Sequence, residues 1–195
     1  FSMSERALIS AGTDKGTTGH GGNISVQADE VLLTDNADIA ANTFGSGDAG
    51  AIAVTAQDRI SLTDSHMNSS TFAFTGQPGG GQGGQITLHA PTIDISNGEI
   101  ISQSSSSGNA GNILLETAHL TLDGTELAAS AFGSGSGGDI TIRGLTDAGS
   151  SAGQVALMGG SQVFSETAST GNGGTIAIQT AQLMMQDNSV ISTSS

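Results

Sequence analysis

The 195-residue chain carries 18 acidic residues against four Lys and Arg, a formal charge of −14, and no Cys, Trp or Tyr. That balance argues against nucleic-acid binding, which needs clustered Lys and Arg over phosphate, and against an anionic membrane surface. The missing cysteine excludes disulfides, Cys-based zinc sites and thiol catalysis, and no run is apolar enough for membrane insertion as a spanning helix. Aromatic content of 3% leaves Ile, Leu, Val and Ala to fill a narrow interior. Thirty glycines would read as low complexity if the apolar residues were not so regularly placed.

The chain opens on Phe1-Ser2-Met3-Ser4-Glu5, which has no signal-peptide pattern. Phe1-Ser2-Met3 aligns with Val31-Leu32-Leu33, so the sequence enters a repeat part-way through. A Gly followed two residues later by Ile then opens each unit: Gly22, Gly50, Gly84, Gly111, Gly138 and Gly174, at spacings of 28, 34, 27, 27 and 36. Within a unit three short alternating segments recur. The first is Ile24-Ser25-Val26, then Ile86-Thr87-Leu88, Ile140-Thr141-Ile142 and Ile176-Ala177-Ile178. The second is Val31-Leu32-Leu33, Ile60-Ser61-Leu62, Ile93-Asp94-Ile95, Leu120-Thr121-Leu122 and Leu183-Met184-Met185. The third centres on Ile39, Met67, Ile101, Leu127, Val163 and Ile191. Alternation over so few residues predicts strands with one buried face.

Between the second and third segments stand Asp35-Asn36, Asp64-Ser65, Asn97-Gly98, Asp123-Gly124, Gly159-Gly160 and Asp187-Asn188. Asn, Asp and Gly tolerate positive φ, so one sharp corner is expected at one place in every unit. Two places after each third-segment centre come Ala11, Ala41, Ser69, Gln103, Ala129, Ser165 and Thr193, all small except Gln103. Phe44, Phe72 and Phe132 fall at equivalent places and are expected to stack, with Ser106 interrupting the column. One unit cannot bury its own apolar face, but stacked units can. Parallel stacking with right-handed crossovers predicts an all-β fold, a right-handed parallel β-helix with three short strands per rung and 27–28 residues per rung. Residues 1–195 then form a single fragment of about six rungs, roughly 25 to 30 Å long, uncapped at both ends as in a piece of a longer array. Enlargements near 73–83 and 144–153 are expected to be Gly- and Ser-rich side loops.

Gly111-Asn112-Ile113, Leu120-Thr121-Leu122-Asp123-Gly124 and Ser130-Ala131-Phe132-Gly133-Ser134-Gly135 resemble repeats of filamentous-haemagglutinin-like exoproteins of the bacterial two-partner secretion system. The resemblance covers essentially the whole chain. It implies a β-helical stalk, exported by a dedicated outer-membrane partner through a region not visible here. It also implies a secreted or cell-surface location, with roles in adhesion, cell–cell aggregation or biofilm. Partners would be cell-surface glycans or proteins, and open rung edges would allow end-to-end self-association.

Chemistry-bearing patterns point to no enzyme. The corner acids Asp35, Asp64, Asp123 and Asp187 are expected to form a partial column, broken by Asn97 and Gly159, and turn-forming Asp needs no catalytic reason. Lyase chemistry would want a basic group, and Arg59 and Arg143 look isolated. Gly137-Gly138-Asp139-Ile140 resembles half of a calcium-binding nonapeptide but lacks its period. The glycine run at 79–84 lacks the Gly-Lys-Ser/Thr ending of a phosphate loop. His20, His66, His89 and His119 never fall at metal-ligand spacing, and His89 and His119 read as one shared exterior position. No catalytic, cofactor-binding or metal residue is assigned and no cofactor is expected. The leading expectation is a structural or adhesive stalk segment. The alternatives are a carbohydrate-active β-helix enzyme (polysaccharide lyase or glycosidase) and a self-assembling filament subunit.

Overall fold

The computed structural model describes residues 1–72 and 80–195. Among them there is no helix, and every strand pairing is parallel. The chain is all-β because its apolar residues alternate. Strand Ile86–His89 and strand Thr92–Ser96 each bury every second side chain, as do Ile113–Glu116 and His119–Asp123.

Two sheets result. The smaller has seven strands in sequence order: Leu8–Ser10, Asp38–Ala40, His66–Asn68, Glu99–Ile101, Glu126–Ala128, Gln162–Glu166 and Val190–Ser194. The larger forks. Strands Ile24–Leu33 and Ile52–Thr63 each run through both the first and second segments of their unit. A register shift lies beyond Ala28, where Asp29 of one strand faces Gln57 and Asp58 of the other. From the next unit onward the two segments are separate strands, and Ile52–Thr63 pairs with both Ile86–His89 and Thr92–Ser96. The expected separation of the first and second strands therefore holds only in the later units.

Each strand lies beside its equivalent one unit on, residue for residue. Ile24, Ile52, Ile86, Ile113, Ile140 and Ile176 form one column of register partners. Leu33, Leu62, Ile95, Leu122, Leu157 and Met185 form another. Their side chains fill the interior, and Leu33, Leu62, Leu88, Ile100 and Leu122 are fully buried. Each such burial stabilises the fold by about 1.5–3 kcal/mol. In the last unit Met185, which ends the second of these columns, and Leu183, the register partner of Val155, are 43% and 46% exposed, being covered from one side only.

The corners have positive φ, as the turn residues demand. Two successive residues carry it at Asp35-Asn36, Gly159-Gly160 and Asp187-Asn188, and also at Glu5-Arg6; Asp64, Asn97 and Gly124 carry it singly. Corners of the first kind place five residues between the equivalent core positions Leu33 and Ile39, against four between Leu62 and Met67. The extra residue is absorbed in the turn, so register is kept.

Register also corrects several sequence assignments. The third-strand partner of Met67 and Leu127 is Ile100, not Ile101. The small residue two places on is therefore Ser102, fully buried, and Gln103 is no exception in that column. Thr43, Thr71, Ser104 and Ala131 pair across units, so Ser105 rather than Ser106 follows in the phenylalanine column. Phe44 and Phe72 stack with ring centroids 5.0 Å apart, whereas Phe132 is 55% exposed beyond the gap. The loop between the first and second strands occupies 144–151, because Ala152 already belongs to strand Ala152–Met158. Of the other enlargement, 73–79 lie outside the described residues.

Candidate functional site

The return segment that leads into each opening glycine is an ordered part of the stack. A second glycine recurs three residues upstream of the first: Gly47, Gly81, Gly108, Gly135 and Gly171. In both columns the main chains of successive units approach closely. A Cβ on Gly84, Gly111, Gly138 or Gly174 would overlap the carbonyl oxygen of the opening glycine one unit back. The same holds for Gly81, Gly108, Gly135 and Gly171 against the upstream glycine one unit back. Close approach, rather than turn geometry, requires glycine at these places.

The interior side of this segment is closed by hydroxyls. Ser69 donates to the Gly50 carbonyl, and Ser102 and Ser165 donate to those of Gly84 and Gly138, at 2.6 Å each. Thr71, Ser104 and Ser106 converge on the Gly81 carbonyl at 3.0, 3.2 and 3.0 Å. These bonds satisfy carbonyls that would otherwise be buried without partners.

The exterior side forms a groove. Backbone N–H groups of Ala49, Gly83, Ala110 and Gly137 donate to the carbonyls of Gln82, Asn109, Ser136 and Asn172 in the following unit, each at 2.9 Å. Side chains serve the alternate positions. Asp48 Oδ1 accepts from the Gln82 N–H at 2.8 Å, and Asn109 Oδ1 from the Ser136 N–H at 2.9 Å. Asn112 Oδ1 accepts from Asp139 and Asp139 Oδ1 from Thr175, at 2.8 and 2.9 Å. Two polar ladders thus flank a floor of glycine and alanine main chain, enclosing about 300 Å³ across three units. Alternation and turn rules assign no strand or corner to this segment. The three-residue glycine spacing, with a polar residue after every one of these glycines except Gly50, is the signal that marks it.

The titratable residues lie elsewhere. Glu116 stands between His89 and Arg143 in adjoining units of one column. His89 Nδ1 is 3.1 Å from Glu116 Oε2, and the Arg143 guanidinium donates to Oε1 at 2.7 and 3.1 Å. Burial works to raise the Glu116 carboxyl, but the bonds from Arg143 and His89 outweigh it and hold it below the ordinary glutamate value. Arg143 is therefore not isolated. His89 and His119 are not equivalent either, since His119 belongs to the second-strand column beside Thr92 and Gln154.

On the third strand, Asp38, His66, Glu99 and Glu126 follow one another in register. His66 Nδ1 is 3.5 Å from Glu99 Oε2. Asp38 Oδ1, His66 Nδ1 and the neighbouring Asn68 Oδ1 are buried atoms without hydrogen-bond partners among the described residues. Burial raises the Asp38 carboxyl against the opposing pull of His66. It also raises that of Glu126, where the Glu99 charge adds to it. The corner acids do not form the expected column, because Asp123 aligns with Ser96, one place before the corner position of Asp35 and Asp64. Asp139 of the nonapeptide-like stretch serves its ladder, and of the glycine run Gly83 lines the groove while Gly81 and Gly84 belong to the glycine columns. Among the described residues no three His, Asp or Glu side chains gather as metal ligands. Comparisons with family models, with curated proteins and with solved structures return no match to this chain.

Proposed function

We propose that the chain is a right-handed parallel β-helix acting as a structural and adhesive stalk segment of a secreted or surface-displayed bacterial exoprotein. The proposed parent resembles the filamentous-haemagglutinin-like products of two-partner secretion. The observation that carries the fold is the pairing rule. Equivalent strands of successive units are neighbours, whereas Thr92–Ser96 and Glu99–Ile101, consecutive in the chain, lie in different sheets. A parallel barrel would set consecutive strands side by side, and parallel crossovers favour the right hand.

The adhesive role is supported by an exterior of repeated polar columns at fixed spacing, which presents the same groups again and again to an extended partner. Retention of the purified chain on immobilised polysaccharides, proteins and whole cells tests it. Saturable retention is expected. Absence of retention on every surface would remove the adhesive role and leave a spacer.

A second reading, a carbohydrate-active enzyme, draws on Glu99 and Glu126. They are register partners beside a shallow groove of about 180 Å³ that also includes Asn97, Thr125 and Gln162. The raised Glu126 carboxyl is the kind of group a general acid needs. Shortening of a retained polysaccharide, abolished by Glu126→Gln, would put this reading in place of the first.

A further inference from the structure

We infer that the groove over the paired glycine columns binds an extended neutral polysaccharide, with successive sugar residues lying over successive units. This inference rests on the adhesive reading and narrows it to one face and one ligand class.

The floor is main chain, because side chains are excluded where the glycines of adjoining units approach. A flat sugar ring can therefore come close to the backbone. Gln82 and Asn109 stand on one wall, with Gln85, Asn112 and Asp139 on the other. The Oδ1 atoms of Asn109 and Asn112 are already held by the N–H groups of Ser136 and Asp139. Each amide plane is thereby fixed, and its Nδ2 group is left as a donor to a ligand. Asp139 spends Oδ1 on the Thr175 N–H and keeps Oδ2 as an acceptor. Polar side chains recur on the walls at the strand spacing of about 4.8 Å, close to the length of one pyranose unit in an extended chain, and those of Asn109, Asn112 and Asp139 are held in place by the following unit. Because these side chains are ordered before binding, little rotamer entropy is lost on association.

The same lining selects the ligand. It contains no Lys or Arg, and the chain carries −14 overall, so an anionic polymer is repelled. It contains no apolar side chain larger than alanine, so nothing is offered to the hydrophobic anchors of a peptide. A polyhydroxylated, uncharged polymer fits both conditions.

Titration of the 195-residue chain with soluble, neutral, extended β-1,4-linked polymers (galactomannan, xyloglucan and hydroxyethyl cellulose), and with alginate as an anionic polymer, tests the inference. The informative variant is Gln82→Ala with Gln85→Ala. Both side chains are exposed, and the one side-chain bond at stake is the exposed contact from Gln85 to Thr87. Thr121→Ala, on the outer face of a second strand, is the control. Binding of at least one neutral glycan is expected, weakened about tenfold by the double variant and unchanged by the control. Neutral-glycan binding that survives the double variant, or binding of alginate alone, would overturn the groove. Retention on cells or proteins without any neutral-glycan binding would also overturn it while leaving the adhesive reading intact. No retention anywhere would remove both.

Discussion

At Gly111 an added methyl group has no room, since it would overlap the Gly84 carbonyl oxygen and also meet the Ser102 hydroxyl. Gly111→Ala must push two main chains apart, and a loss of about 1–3 kcal/mol is expected by denaturant unfolding. Gly80→Ala, whose Cβ would meet none of the described residues closer than 3.9 Å, should leave stability unchanged. Equal effects would mean that the glycine columns do not hold the units together. Charge is also readable residue by residue. Glu126 is raised by burial and by Glu99, so folding favours its protonated form. That contribution is complete below the unfolded pKa, roughly 4.3, and is lost as pH rises through the folded value. Glu126→Gln should therefore raise Tm at neutral pH by the equivalent of less than about 1 kcal/mol, given solvent screening. The advantage should vanish on acidification. Glu116 has the opposite sign: its lowered carboxyl stabilises above the ordinary pKa, and that contribution is lost as pH falls through the lowered value. Thermal melts across pH for both Gln variants would separate the two, and the same pH trend in both would contradict these assignments.

Among the elements, the three alternating segments and the corner were legible in the sequence because they obey local rules. Alternation selects the buried face, and Asp, Asn or Gly supplies positive φ. Ile100 and Ile101 show where local rules stop. Both are apolar and adjacent, and only pairing with Met67 and Leu127 decides which one faces the interior. The groove was hidden for a related reason. Asn109, Asn112 and Asp139 look like loop residues until the next unit's N–H groups are placed against them, 27 or 36 positions away. The 144–151 loop is the contrary case, since its contacts are largely its own. Asp147 accepts from the Gly149 N–H at 2.8 Å and from the Ser150 hydroxyl at 2.7 Å. Replacing 145–150 by two glycines should change unfolding free energy by less than about 1 kcal/mol, as measured in urea. A loss of several kcal/mol would show that the loop is part of the fold.

For the whole molecule, a stack in which each unit touches only its neighbours should be least stable at its edges. Strands Ile176–Ile178 and Val190–Ser194 pair on one side only, whereas Ile113–Glu116 and Glu126–Ala128 pair on both. Amide hydrogen exchange should be fastest in the former and slowest in the latter. Uniform protection along the chain would indicate one cooperative body without a layered order. The interior columns, the glycine columns and the glycan groove all depend on units lying in register at one-unit intervals. Cysteine pairs test this directly, because the chain has no cysteine of its own and a disulfide forms only between Cα atoms about 4.4–6.8 Å apart. Asp94→Cys with Thr121→Cys, and Glu99→Cys with Glu126→Cys, join register partners on outward faces of the two sheets. Both pairs should cross-link rapidly under mild oxidation, and Asp94→Cys with Asp123→Cys, two residues out of register, should not. Cross-linking of the slipped pair in preference to the aligned ones would contradict the register and the groove built on it.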